Sequence, residues 1–107
     1  MKTVITSAGK DKEALFDLRF GRCPYICIVD KSSDTFDFLK NPYSERGEGA
    51  GTGLAEEILK MNIQRVISGD FGAKAQKFLQ EHNIQMIVIP DNNKTVGEII
   101  QTLDSKR

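Results

Sequence analysis

The residues best suited to bind a ligand are the glycines of the segment Arg46–Gly53, which reads Arg-Gly-Glu-Gly-Ala-Gly-Thr-Gly. Apolar residues at helical spacing follow from Leu54, so the segment leads directly into a predicted helix. Bare backbone N–H groups and the positive end of a helix dipole both favour an anion. The candidate binding residues here are Gly49, Gly51, Thr52 and Gly53. The alternative interpretation is a surface loop that binds no ligand.

A second pair of glycines lies on either side of an aromatic residue, at the end of the fourth predicted strand. Gly69 and Gly72 surround Phe71 and open the second predicted helix. In open α/β sheets ligands collect at the carboxyl ends of the strands. Both glycine turns are therefore expected along one edge of the sheet, together with Ser7 at the end of the first strand.

An arginine and a cysteine precede the second predicted strand. Arg22 offers planar, permanently charged donors for an anion. Cys23 is a candidate soft metal ligand, because nearby guanidinium groups favour its thiolate. Cys27 lies within an apolar strand and is predicted to be a buried small hydrophobic residue. In an extended chain the two cysteine Cα atoms would be about 13 Å apart, which excludes a disulfide or shared ligation of one metal atom.

Several functional classes are disfavoured by what the sequence contains. His82 is the one histidine, so His-based triads and Cys2His2 zinc sites lack a partner. Gly-x-Ser-x-Gly and P-loop motifs are absent, so an enzyme is not expected. The 15 basic and 15 acidic residues disfavour non-specific nucleic-acid binding. The longest apolar run, Met86–Pro90, is too short to cross a membrane, and a cytoplasmic location is expected.

The elements that position these residues follow from hydrophobic periodicity and turn signals. The 107 residues predict one domain over residues 1–107, with the order three strands, helix, strand, helix, strand, helix. The first three strands form an antiparallel meander, and helical crossovers make the last two parallel. The result is a five-stranded mixed sheet of the α/β class with about three helices. The predicted strands are Thr3–Ser7, Tyr25–Val29, Thr35–Lys40, Gln64–Ser68 and Gln85–Ile89. The predicted helices run from Leu54 to Met61, from Ala75 to His82, and onward from a Thr95/Glu98 capping box.

Blocks of residues along nearly the whole chain resemble the dinitrogenase iron–molybdenum cofactor biosynthesis family. This family includes NifX-like and NafY-like carriers and the carboxy-terminal domain of NifB-like proteins. The blocks are Phe20-Gly21-Arg22-Cys23-Pro24-Tyr25, Ile28-Val29-Asp30, Asn41-Pro42, Gly49-Ala50-Gly51-Thr52-Gly53, Ser68-Gly69-Asp70-Phe71-Gly72 and Lys94-Thr95-Val96.

The resemblance implies a ribonuclease-H-like fold and a non-enzymatic role in binding or carrying an iron–sulfur or iron–molybdenum cluster. Its partners would be the proteins that donate and accept the cluster. The residues of this chain whose chemistry suits such a cluster are Arg22, Cys23, Gly49, Gly51, Thr52, Gly53, Gly69, Phe71 and Gly72, with Cys23 as the candidate metal ligand.

Two departures from the family pattern leave the ligand set open. Several relatives carry a histidine near the glycine-rich segment, whereas residues 44–53 contain none. Cys23 stands where many relatives have alanine or another small residue, so it is either a substitute ligand or an incidental small residue. Two other functions are compatible with the sequence. One is a phosphate- or nucleotide-binding module that uses the Gly49–Gly53 loop, and the other is an interaction domain that binds no ligand.

Overall fold

The computed structural model describes residues 1–104, and within them five strands and three helices form one α/β domain. The predicted order of elements is confirmed. The predicted end of the domain at residue 107 lies outside the described residues. None of the helices in residues 1–104 is long and apolar enough to cross a membrane. The elements are β1 (Lys2–Ser7), β2 (Tyr25–Asp30), β3 (Thr35–Lys40), α1 (Ala50–Lys60), β4 (Arg65–Ser68), α2 (Ala73–Glu81), β5 (Gln85–Val88) and α3 (Val96–Asp104).

The five strands form one mixed sheet in the order β3-β2-β1-β4-β5. As predicted, β2 is antiparallel to both β1 and β3, and β4 is parallel to β5. β4 is also parallel to β1, a pairing that the sequence did not predict. Ser7, the last residue of β1, pairs with Tyr25, the first residue of β2. The segment before β2 therefore reaches the same edge of the sheet as the carboxyl ends of β1, β4 and β5.

Each face of the sheet is covered by a separate apolar cluster. Val4 and Ile5 are adjacent on β1 and belong to opposite clusters, as the alternation of side chains along a strand requires. The cluster of Val4 includes Leu54 and Ile58 of α1 and Leu79 of α2. The cluster of Ile5 is completed by α3 and by Phe16, which fixes the irregular segment between β1 and β2 to the sheet.

Helix α1 begins at Ala50, a full turn before the predicted start at Leu54, so that prediction is wrong. Apolar spacing identifies the core-facing residues of a helix but not a first turn made of small residues. Gly49 precedes the helix in the left-handed conformation, with φ of 86°. Gly51 and Gly53 are consequently residues of the first helical turn and not of a loop. Helix α2 begins at Ala73, directly after Gly72, as the second pair of glycines predicts.

The capping box predicted at the start of α3 is present. The Thr95 Oγ1 accepts a hydrogen bond from the Glu98 N–H at 3.1 Å, and the Glu98 Oε1 accepts one from the Thr95 N–H at 2.8 Å. We expect Thr95→Ala to lower the free energy of unfolding by about 1 kcal/mol. Thr95→Ser, which keeps the capping hydroxyl, should lower it much less. Chemical denaturation measures both, and an equal loss in the two variants would show that the hydroxyl does not cap α3.

Candidate functional site

The amino ends of α1 and α2 open into a common cleft of about 540 Å³. Of the residues proposed from the sequence, five line it, and they come from both glycine turns and from the segment before β2. These five are Arg22, Gly49, Gly51, Thr52 and Gly72. The structure therefore brings the two turns and the guanidinium to one place. Their role in binding a ligand stays a prediction.

Close backbone contacts hold the walls of the cleft together. A Cβ built on Gly51 would lie 3.4 Å from the Cβ of Ala75, so the first turns of α1 and α2 touch there. A Cβ built on Gly21 would lie only 2.5 Å from the N and Cα atoms of Gly51. The Phe20 and Phe71 rings pack with centroids 5.0 Å apart. The residues beside Arg22 are thus packed against both helix starts.

The first turns of both helices present backbone N–H donors that have no acceptor among the described residues. Neither Gly49 nor Gly72 has a side chain that could cap its helix. The Gly49 carbonyl accepts a hydrogen bond from the Gly53 N–H, and the Gly72 carbonyl accepts one from the Gln76 N–H, each at 2.9 Å. Within residues 1–104, the N–H groups that find no hydrogen-bond acceptor include those of Gly51, Thr52, Ala73, Lys74 and Ala75. All five residues line the cleft. Unpaired donors at two helix starts make the cleft attractive to an anion.

The charged side chains of the cleft add to this positive potential. Arg22 and Lys74 are both exposed, and in the described part of the chain neither forms an ion pair. Glu48 is the acidic residue of the lining. Lys74 was not predicted from the sequence, although a signal was present. A lysine in the first turn of a helix is disfavoured by the helix dipole, so its position there suggests a functional role.

Cys23 does not line the cleft. Its side chain is fully buried in the apolar cluster beneath α1 and α2. Burial, with a smaller contribution from the nearby Asp17 carboxylate, raises the pKa of Cys23 to about 11. The expectation of a readily ionised thiol beside guanidinium groups is therefore wrong, because burial disfavours the charged thiolate. Whether Cys23 ligates a metal stays a prediction, and it would require the thiol to leave the core.

Cys27 is buried in the apolar cluster beneath α3, and its pKa is raised by burial to about 12, as expected of a small hydrophobic residue. Both cysteines are free thiols. Over residues 1–104 no three or more histidine, cysteine or acidic side chains come together in a way that could hold a metal ion.

Four other residues considered from the sequence do not line the cleft. Gly53 lies under the Tyr43 ring, which a Cβ there would meet at 2.5 Å. Gly69 packs directly against Leu18. Phe71 packs on Phe20. Ser7 is buried, and its hydroxyl donates to the Gly9 carbonyl at 2.6 Å.

The buried state of the thiols has a direct chemical consequence. With a pKa of about 11, only about one thousandth of the Cys23 thiol is ionised at about pH 8. We expect neither cysteine of the native protein to react with an aromatic disulfide reagent on the minute timescale, and both to react in urea. Rapid labelling of Cys23 in the native protein, located by mass spectrometry, would contradict its placement in the core.

Comparisons with known proteins show the family of this chain and proteins with a similar fold. A sequence model of the dinitrogenase iron-molybdenum cofactor family matches residues 1–106. The apo form of the orange protein from Desulfovibrio gigas is 28% identical with a TM-score of 0.86, over 96% of this chain and 87% of that one. A Thermotoga protein assigned as NifB is 23% identical with a TM-score of 0.83, over 99% and 89% of the two chains, and shows the shared fold. No curated protein matches significantly.

Proposed function

Because this chain belongs to the dinitrogenase iron-molybdenum cofactor family, we propose that it binds and carries an iron–sulfur or iron–molybdenum cluster in the cleft. The observation that carries the proposal is the meeting of two uncapped helix starts with Arg22 and Lys74 in one cleft. The family supplies the kind of cargo, and the cleft supplies groups that suit its charge.

The donors of the cleft fit the chemistry of such a cargo. Metal–sulfur clusters are rich in sulfide, which accepts hydrogen bonds from backbone N–H groups. Among residues 1–104, the lining of the cleft contains no cysteine or histidine, so we propose that the cleft itself holds the cluster by hydrogen bonds and charge interactions. A cargo held in this way is released more readily than one bound by four thiolates. We therefore propose a carrier without enzymatic activity, whose partners are the proteins that supply and receive the cluster.

Two finer assignments belong to the same proposal. The strand order β3-β2-β1-β4-β5, with β2 antiparallel to its neighbours, supports a ribonuclease-H-like fold. The cytoplasmic location stays a prediction from the sequence.

Anaerobic equilibrium dialysis tests the proposed function. The apo protein is dialysed against isolated iron–molybdenum cofactor, and in a separate series it is reconstituted with iron and sulfide, with bound metal measured by mass spectrometry. We expect saturable binding of one of the two clusters. Failure to retain either cluster would overturn the proposal.

The same unpaired N–H groups also suit a phosphate, which keeps a phosphate- or nucleotide-binding module as the second candidate. Thermal-shift measurements with inorganic phosphate and nucleotides separate the two functions. Saturable stabilisation by a nucleotide, without retention of either cluster, would favour the second candidate.

A further inference from the structure

A buried polar side chain connects the two parts of the chain that meet at the cleft. Asn41, directly after β3, has only 1% of its surface exposed. Its Nδ2 donates to the Gly21 carbonyl at 2.9 Å and to the Cys23 carbonyl at 2.8 Å, the residues on either side of Arg22. Its Oδ1 accepts from the Tyr43 N–H at 3.0 Å. One side chain thus ties the backbone around Arg22 to the start of the segment that leads to Gly49.

The arrangement at position 41 requires an asparagine. Two donors and one acceptor are used at once, and a side-chain amide of this length supplies all three. An aspartate would place a carboxylate against two carbonyl oxygens, and a serine would leave at least one of them unpaired. Asn41 does not line the cleft, so this buried amide contributes to the site by fixing the backbone.

Arg22 depends on its backbone for its position. Its side chain is exposed and forms no ion pair with the residues that the structure describes. The backbone beside it is held by the contact of Gly21 with Gly51, by the turn in which the Cys23 N–H donates to the Arg19 carbonyl at 3.0 Å, and by Asn41. The Asn41 bonds are the ones that join this backbone to the segment following β3.

We propose that Asn41 is a positioning residue that sets where the Arg22 guanidinium stands relative to the N–H groups of α1, and so sets the affinity of the cleft for its cargo. This inference rests on the proposed cluster-binding function. If Asn41 acts through Arg22, its replacement weakens binding only while Arg22 is present. A residue that shapes the cleft without acting through Arg22 would weaken binding by the same factor in either background.

A double-mutant cycle on the full chain tests this inference, with isolated iron–molybdenum cofactor as the probe in anaerobic dialysis. Asn41→Ser and Asn41→Asp are compared in the wild-type and Arg22→Gln backgrounds, and circular dichroism selects the variant that folds. We expect the Asn41 replacement to weaken binding about tenfold in the wild-type background and by less than about twofold in the Arg22→Gln background. Ile99→Ala, in the apolar cluster beneath α3, serves as a destabilised control that retains wild-type affinity.

The possible results separate the two proposals. If the wild-type protein does not bind the cofactor, the proposed function fails and this inference fails with it. If the wild-type protein binds but the Asn41 replacements leave the affinity unchanged, or weaken it by the same factor in both backgrounds, only the role of Asn41 is overturned.

Discussion

Replacing Gly21 with alanine is expected to lower the free energy of unfolding by about 3 kcal/mol. Gly21 has φ of 95°, a region that a residue with a Cβ rarely adopts, and its new methyl would lie 2.5 Å from the Gly51 backbone. Neither backbone can move aside without separating α1 from the segment that carries Arg22. Affinity for the cargo should therefore fall together with stability.

The effect of Gly21→Ala can be divided into its two causes with a matched control. Gly47 also has a positive φ, of 78°, but a Cβ there would meet no atom within 4 Å. Gly47→Ala should therefore cost only the conformational term, about 1 kcal/mol. Urea denaturation measures both variants. Equal losses would show that the contact between Gly21 and Gly51 does not contribute to stability.

Removing the two cations of the cleft is expected to produce the largest loss of function. A charge-assisted hydrogen bond is worth about 1.5–3 kcal/mol, so Arg22→Ala and Lys74→Ala should each weaken cluster binding about tenfold or more. The double variant should lose about a hundredfold if the two contributions add. The free energy of unfolding should hardly change, because both side chains are exposed and form no ion pair within residues 1–104.

Lys77→Ala is the matched control for these charge removals. Lys77 is an exposed cation of α2 that does not line the cleft, so its loss changes the net charge by the same amount. Dialysis at several salt concentrations should show a weaker salt dependence for Arg22→Ala and Lys74→Ala than for Lys77→Ala. An equal effect of all three would mean that the cargo responds to overall charge and not to the cleft.

The order of elements could be predicted from the sequence because it depends on local signals, whereas the location of the candidate site follows from a rule of sheet topology. The Thr95/Glu98 pair marks the start of α3 by its own chemistry. The meeting of the two glycine turns follows from the rule that parallel strands end at one edge. The first turn of α1 was missed because Ala50, Gly51 and Gly53 leave no apolar spacing.

The residue types of Arg22 and Cys23 do not predict that their side chains lie in different surroundings. Arg22 lines the cleft, whereas Cys23 is buried in the core. That choice is made by contacts distant in sequence, namely Gly51 against Gly21 and Asn41 on the carbonyls beside Arg22. The sequence predicts a possible thiol ligand beside a guanidinium, whereas the fold places the guanidinium at the cleft and the thiol in the core.

Amide NMR of the apo protein during anaerobic addition of isolated iron–molybdenum cofactor tests the central claim most directly. Bound paramagnetic metal should broaden or shift first the amide signals of Gly51, Thr52 and the first turn of α2, and the double variant Arg22→Ala/Lys74→Ala should need far more cofactor for the same effect. Signals that change first at another surface, or that change equally in the double variant, would contradict binding of the cluster in this cleft.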